Sequence, residues 1–135
     1  MPPTRPFYVT DTHPFVWYLV EDNARLGSTA RAAFDHADSG EATIIIPAVV
    51  LAEALYLAEK GRIKAKAEQI FGRVDNALNY RVYPLDLPVI QKAWELRKLT
   101  EIHDRVIVAT AKHLSVELIT KDSKIRESGY VPTLW

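Results

Sequence analysis

Hydrophobic and polar residues follow two patterns along the chain: short apolar runs rich in β-branched residues, and longer segments with apolar residues at helical spacing. The short runs predict four strands, over residues 7–11, 42–46, 80–85 and 116–120. A segment with helical spacing follows each of them. This alternation predicts an α/β domain in which a mainly parallel sheet carries helices on both faces.

The segments between the strands predict seven helices. Ser28 is a plausible N-cap for the second of them, and the tail over 130–135 is a candidate edge strand, where Pro132 is tolerated. The first helix follows residue 11 and has about two turns. Four more are predicted over 28–39, 48–60, 63–78 and 86–100. The sixth, mostly buried, follows a loop within 102–111, and a short polar helix follows residue 122.

Two of these helices carry specific packing predictions. The third is apolar on all sides except at Glu53, which predicts deep burial. The fourth is amphipathic, and its spacing predicts that four residues face inward. Those four are Ile70, Phe71, Val74 and Leu78.

Composition and charge limit the classes of protein that the chain can belong to. Its 135 residues, 48% hydrophobic and 25% charged, fit one globular domain over 1–135. Lys plus Arg equals Asp plus Glu at 17 each, so any nucleic-acid binding requires a local basic patch. The absence of cysteine excludes disulfides and thiolate metal sites. No apolar run is long enough to span a membrane and none reads as a signal peptide, so we expect a cytoplasmic protein without membrane association. Residues 1–6 form a proline-rich start that contains Pro2, Pro3 and Pro6.

Four acids fall at the carboxyl ends of predicted strands, or in helices that follow or pack nearby: Asp11, Glu53, Asp104 and Asp122. Ligands of open α/β sheets bind at that end of the sheet. Two carboxylates about 4 Å apart repel by about 4 kcal/mol at an effective dielectric of 20, so a cluster of four requires cations. Oxygen ligands alone favour Mg²⁺ or Mn²⁺. We therefore predict a divalent metal site suited to phosphodiester cleavage.

Each acid also has a simpler explanation. Asp11 and Asp122 are suited to act as turn residues or helix caps. Glu53, on an apolar helix face, requires either an Arg or Lys partner or protonation. Asp104 is a good candidate for the cap of the sixth helix. These explanations are separately reasonable, but together they do not account for four acids at one edge of the sheet.

Other sequence motifs are weak. The five glycines form neither a P-loop nor a dinucleotide fingerprint, and the four histidines lack a zincin spacing. For His13 and His103 a surface hydrogen-bonding role is favoured over support of a metal ligand. Ser123 lacks the surroundings of a nucleophile elbow.

Basic residues near the predicted site are candidates for phosphate contacts. The stretch 60–66 carries four of them, and a solvated helix face is favoured over a phosphate grip. Lys121, Lys124 and Arg126 flank Asp122 and are better placed to meet a substrate phosphate. Arg105 is expected either to position a carboxylate or to cover its helix.

Several short motifs, taken in order and spacing, resemble the PIN-domain ribonucleases, and within them the VapC-type toxins of bacterial and archaeal toxin-antitoxin pairs. The similarity covers nearly the whole chain. The motifs are Val-Thr-Asp-Thr-His at 9–13 with Trp17 and Leu19, Leu-Ala-Glu at 51–53, Asp-Arg-Val-Ile-Val-Ala-Thr-Ala at 104–111, Leu-Ile-Thr-Lys-Asp at 118–122 and Thr-Leu-Trp at 133–135.

The resemblance implies a PIN-like, Rossmann-like three-layer α/β/α fold and a Mg²⁺- or Mn²⁺-dependent endoribonuclease. Metal-activated water would attack the RNA phosphodiester and leave 5′-phosphate and 3′-hydroxyl ends. The implied metal ligands and catalytic residues are Asp11, Glu53, Asp104 and Asp122, with Thr12 and Thr120 as supporting polar residues.

The resemblance also implies partners: an RNA substrate, a second copy of the chain in a homodimer, and a small cognate antitoxin. The antitoxin's carboxyl-terminal segment would lie across the active-site groove, where it would be able to insert an arginine among the acids. Two alternatives stay open. One is a non-catalytic scaffold or regulatory module in which the acids are caps and ion pairs. The other, a phospho-receiver domain, is disfavoured because no strand-end aspartate is expected in the middle of the sheet.

Overall fold

The computed structural model describes residues 5–135, so most of the proline-rich start lies outside the described residues. Within this range, strands and helices alternate as the sequence pattern predicts. The elements are β1 (Phe7–Thr10), α1 (Thr12–Leu19), α2 (Ser28–Asp38), β2 (Thr43–Pro47), α3 (Ala48–Glu59), α4 (Ala67–Asn76), β3 (Tyr80–Tyr83), α5 (Leu87–Trp94), α6 (Ile102–Leu114), β4 (Glu117–Ile119), α7 (Ser123–Ser128) and β5 (Thr133–Leu134).

The five described strands form one parallel sheet in the order β3-β2-β1-β4-β5. The central strand is β1, where Val9 is in register with Ile45 of β2 on one side and with Leu118 of β4 on the other. The three-layer fold prediction is confirmed, and the tail does add a parallel edge strand, β5. Because β1 and β4 are neighbours and run in the same direction, the residues that follow them meet at one edge of the sheet.

The core lies between the sheet and its covering helices. Every residue of β2 is buried, as expected for an interior strand of a parallel sheet that is covered on both faces. Helix α6 is buried from Val106 to Ala111, which agrees with the prediction of a mostly buried helix. Phe15 and Phe34 contribute the largest fully buried side chains of α1 and α2.

Several helix boundaries differ from the prediction. The cap of α2 is Gly27, not Ser28, which is the first helical residue. A Cβ at Gly27 would lie 2.6 Å from the backbone and ring of Trp135, so the tail packs too closely for any larger residue. Helix α4 begins at Ala67 instead of 63, and α5 ends at Trp94 instead of near 100.

Two packing predictions are wrong. Only Val50 and Ala54 are buried in α3, and Tyr56 is 52% exposed, because the described elements cover one side of that helix only. In the fourth helical segment Ile70 is buried as predicted, whereas Phe71 is 47% exposed. Leu78 is 90% exposed because α4 ends before it and the helical spacing no longer applies.

The location of β1 also corrects the argument against a receiver domain. Asp11 follows the central strand, so a strand-end aspartate does lie in the middle of the sheet. Among the residues that the structure describes, no helix is both long and apolar enough to cross a membrane.

Candidate functional site

Asp11 is the acid that follows the central strand. Its Oδ1 accepts a hydrogen bond from the Thr12 backbone N–H at 2.8 Å, which caps α1. Its Oδ2 accepts one from the Thr120 hydroxyl, also at 2.8 Å. The capping explanation is therefore correct but incomplete, because the second oxygen is held by a residue that directly follows β4.

Asp122 lies beside it, after the neighbouring strand. Its Oδ1 accepts the Ile125 N–H at 3.1 Å and caps α7, so here too the cap is real. Its own backbone N–H donates to Thr120 Oγ1 at 3.1 Å. The Thr120 hydroxyl thus contacts both acidic residues, donating to the Asp11 carboxylate and accepting from the Asp122 backbone.

Asp104 is not the cap of α6, so that explanation is wrong. Glu101 is the cap: its Oε2 accepts the Asp104 N–H at 3.1 Å. The Asp104 carboxylate itself accepts no hydrogen bond from any other residue within 5–135. The sequence prediction missed Glu101, because glutamate is not among the residues preferred at the N-cap and the start of α6 is weakly encoded.

Glu53 comes from α3. Its Oε1 is buried without a hydrogen-bond partner, and no Arg or Lys in the described part of the chain forms an ion pair with it, so the ion-pair explanation fails. Thr12 Oγ1 is likewise buried and has no hydrogen-bond partner among residues 5–135. The Thr12 hydroxyl is near enough to favour the ionised form of Glu53 slightly, but the geometry is not that of a hydrogen bond. Burial raises the pKa of Glu53, and Asp11 and Glu101 raise it further.

The acids influence one another's ionisation. The pKa of Asp104 is raised from 3.8 to about 6, first by burial and then by four neighbouring negative charges, in the order Asp122, Asp11, Glu101 and Glu53. The pKa of Asp11 is also raised, first by burial and to a smaller extent by Asp122. These interactions place the four acids near Asp104, since like charges raise a carboxyl pKa appreciably only at short range.

Most of the predicted acids line one open cleft of about 530 Å³. Asp11, Asp104 and Asp122 line it together with Glu101. Glu53 does not line this cleft; it lines a neighbouring one on the α3 side, of about 540 Å³. The predicted convergence therefore holds for three acids at one cleft, with the fourth beside it.

The donor set fits a hard cation. Within 5–135, no three Asp, Glu, His or Cys side chains lie close enough together to enclose a metal ion. A closed cage is not what Mg²⁺ requires, since it retains several waters and binds through one or two carboxylates. Unbonded Glu53 Oε1 and the repulsion around Asp104 are the features that a cation would relieve.

The histidines lie at the surface, as expected. His13 is exposed at the cleft, with its ring centroid 5.6 Å from that of Trp17. His103 Nδ1 lies 3.0 Å from Glu101 Oε1. His103 therefore contacts the residue that caps α6 and not a predicted metal ligand. A positive charge on His103 lowers the pKa of Glu53 in part.

The basic residues agree with the predictions only in part. The stretch 60–66 connects α3 to α4, so the solvated helix face is wrong. Arg105 donates to the Leu99 carbonyl and holds the approach to α6. Lys121 and Lys124 do line the acidic cleft, whereas Arg126 is not among the residues around it.

A parallel sheet with acids after its central strands, one further acid in α6 and one in α3 defines the class of this protein. The sequence matches the PIN domain over residues 8–129, and the chain belongs to the PIN-domain family. Among curated proteins, no sequence matches it.

Solved structures with the same fold include toxin-antitoxin complexes. VapBC2 from Rickettsia felis, bound to a DNA fragment from its promoter, is 19% identical with a TM-score of 0.70 over 96% of this chain and 98% of that one. DNA-bound VapBC from Salmonella typhimurium is 16% identical, with a TM-score of 0.69 over 97% and 98%. VapC20 from Mycobacterium tuberculosis, described as a sarcin-ricin loop cleaving toxin, is 15% identical, with a TM-score of 0.62 over 92% and 96%. At these identities the likeness establishes the fold.

Proposed function

We propose that the protein is a Mg²⁺- or Mn²⁺-dependent endoribonuclease. Proteins of the PIN-domain family are typically nucleases. The observation that carries the proposal is the set of carboxylates at the 530 Å³ cleft, where burial and four neighbouring acids raise the pKa of Asp104 to about 6. Perturbed carboxylates in a cleft are typical of functional sites.

Asp11, Asp104 and Asp122, which line the cleft, would hold the metal directly or through its bound waters, and Glu53 in the neighbouring cleft would add a further negative charge. A bound divalent cation would supply a water nucleophile at neutral pH and neutralise charge on the phosphate. Thr12 and Thr120 support the site by fixing Asp11: the Thr12 N–H and the Thr120 hydroxyl hold one carboxylate oxygen each.

Lys121 and Lys124 are the chain's own groups for the substrate phosphate. Both are exposed and line the same cleft as the acids. An ammonium close to an acidic site attracts the RNA backbone, which the acids alone would repel. The chain's equal numbers of acidic and basic residues therefore do not prevent binding, because the positive charge is placed locally.

The biological setting we propose is a toxin of the VapC type, inhibited by a small cognate antitoxin. Support comes from similar structures that are toxin-antitoxin complexes, and RNA as substrate is supported by the description of VapC20. A homodimer is also proposed. Exposed apolar side chains on and near α5 and α6 provide a surface for this dimer, namely Leu87, Ile90, Trp94 and Ile102. A cytoplasmic location stays a prediction.

Cleavage of a mixed structured and unstructured RNA pool tests the proposal. Purified protein is incubated with Mn²⁺, Mg²⁺ or EDTA beside the variants Asp11→Asn and Asp104→Asn. The matched control is Asp75→Asn, an exposed acid on α4 outside the cleft. We expect metal-dependent cleavage by the wild type and the control, and none by the two site variants. Cleavage that persists in folded site variants would contradict the proposal, because these acids would then not be the catalytic groups. No cleavage by the wild type with either metal would favour the non-catalytic scaffold.

A further inference from the structure

Trp17 forms the wall between two neighbouring grooves. It lines the acidic cleft, and it also lines a second groove of about 300 Å³ that runs between α1 and the α3–α4 connection. The second groove contains Arg25, Arg62 and Lys64. A single indole ring thus separates the carboxylates from a set of basic side chains.

The ring is held in place from two sides. His13 lies 5.6 Å from it between centroids, and Trp135 lies 5.9 Å away in an edge-on arrangement with an interplanar angle of 70°. Trp135 is itself anchored, because its carbonyl accepts the Thr29 N–H at 3.2 Å. Trp17 stays partly exposed despite these contacts, so it presents a preoriented aromatic surface to the grooves.

Positive charge lies on both sides of this ring. On the cleft side, Lys121 Nζ lies over it at 5.9 Å from the centroid. In the second groove Asp22 is the acid among the lining residues, and it pairs with Arg25 at 3.4 Å. Arg62 and Lys64 are exposed and form no ion pair with any residue in 5–135. Their charges are therefore available to a ligand.

We propose, on the basis of the nuclease function above, that the second groove binds unpaired nucleotides that flank the cleaved phosphodiester. One base stacks on Trp17, and Arg62 and Lys64 contact the phosphates that follow. An aromatic platform between cationic groups is the arrangement that single-stranded nucleic acid uses, since every base has a π-face and every nucleotide a phosphate. Bases inside a duplex already stack on their neighbours, so the groove selects RNA that is single-stranded beside the cut.

Tryptophan fluorescence and binding affinity test this assignment. The probe is a single-stranded oligouridine of about twelve nucleotides, and the protein is the Asp104→Asn variant in EDTA, which prevents cleavage. Stacking on Trp17 should quench part of the emission of the three tryptophans. Adding Trp17→Phe should abolish that quenching while affinity changes little, because phenylalanine also stacks. Adding Trp17→Ala should weaken binding on the order of 10-fold.

The charged half of the groove has its own test. Arg62→Gln with Lys64→Gln should reduce the slope of log affinity against log salt by about 1.4, at roughly 0.7 for each phosphate contact on a single strand. The matched control is Arg5→Gln with Arg81→Gln, two exposed basic residues that line neither groove. A fully paired hairpin of the same length should compete poorly.

Three results would overturn the assignment. The first is quenching that survives Trp17→Phe. The second is an unchanged slope of log affinity against log salt in the Arg62→Gln, Lys64→Gln variant, which would indicate that the groove binds a protein partner and not RNA. The third is equal competition by the hairpin. Metal-dependent RNA cleavage by the wild type is measured separately, so an enzyme that cleaves RNA but shows any of these results refutes the groove assignment and leaves the nuclease intact.

Discussion

Replacing Asp104 by asparagine should stabilise the metal-free protein. The pKa of this carboxyl is raised from 3.8 to about 6, a difference that corresponds to about 3 kcal/mol against folding when the group is ionised. Asp104 is partly exposed, so solvent screening reduces this to about 1–2 kcal/mol. The substitution also removes a negative charge from the first turn of α6, where that charge stabilises the helix by about 0.5 kcal/mol. The expected net gain is about 1 kcal/mol.

The pH dependence has a definite sign. Because the folded-state pKa of Asp104 exceeds its unfolded value, ionisation disfavours the folded state. The penalty is absent well below pH 3.8 and complete above about 6. The advantage of the Asp104→Asn variant should therefore be present at pH 7 and disappear as the pH falls through this range.

Thermal unfolding in EDTA measures this effect. A gain of about 1 kcal/mol should raise the melting temperature by about 3 to 5 °C at pH 7. With Mn²⁺ the order should reverse, because the wild type gains stability from a cation that the variant binds poorly. A variant that is less stable than the wild type in EDTA at pH 7 would refute the reasoning, since it would mean that Asp104 is not held among like charges.

Three further substitutions test other parts of the structure. Gly27→Ala should destabilise the fold by about 1–3 kcal/mol in urea unfolding, because its Cβ would meet Trp135 at 2.6 Å; an unchanged midpoint would contradict that contact. Thr120→Val removes the hydroxyl that contacts Asp11, so Mn²⁺ affinity by calorimetry should fall several-fold, and equal affinity would argue against the supporting role. Leu78→Gln should change stability by less than about 0.5 kcal/mol in the same urea assay, because Leu78 is 90% exposed; a large loss would mean that it is packed.

The sheet was predictable because its signals are local. The β-branched run of β2 and the apolar run of β1 each encode a strand without reference to the rest of the chain. That Asp11 and Asp122 lie at one edge of the sheet was predictable as well, since each directly ends a predicted strand and parallel strands end on the same side of a sheet. The order of the strands required the structure.

Packing was harder to predict, because it depends on partners distant in sequence. Apolar content alone indicated a deeply buried α3, yet the structure covers only one side of it and leaves Tyr56 exposed. The role of Glu101 depends on where α6 begins, and helix boundaries are weakly encoded. The contact of Trp17 with Trp135 joins residues from opposite ends of the described chain, which no local pattern indicates.

Binding of Mn²⁺ measured by titration calorimetry tests the central claim most directly, namely that these acids form a site for a divalent cation. The wild type and the Asp75→Asn control should bind Mn²⁺ with equal affinity at pH 7, and Asp11→Asn and Asp104→Asn should each bind at least about 10-fold more weakly, since each removes one charged ligand. Equal Mn²⁺ affinity in all four folded proteins, or no binding by the wild type, would contradict the account.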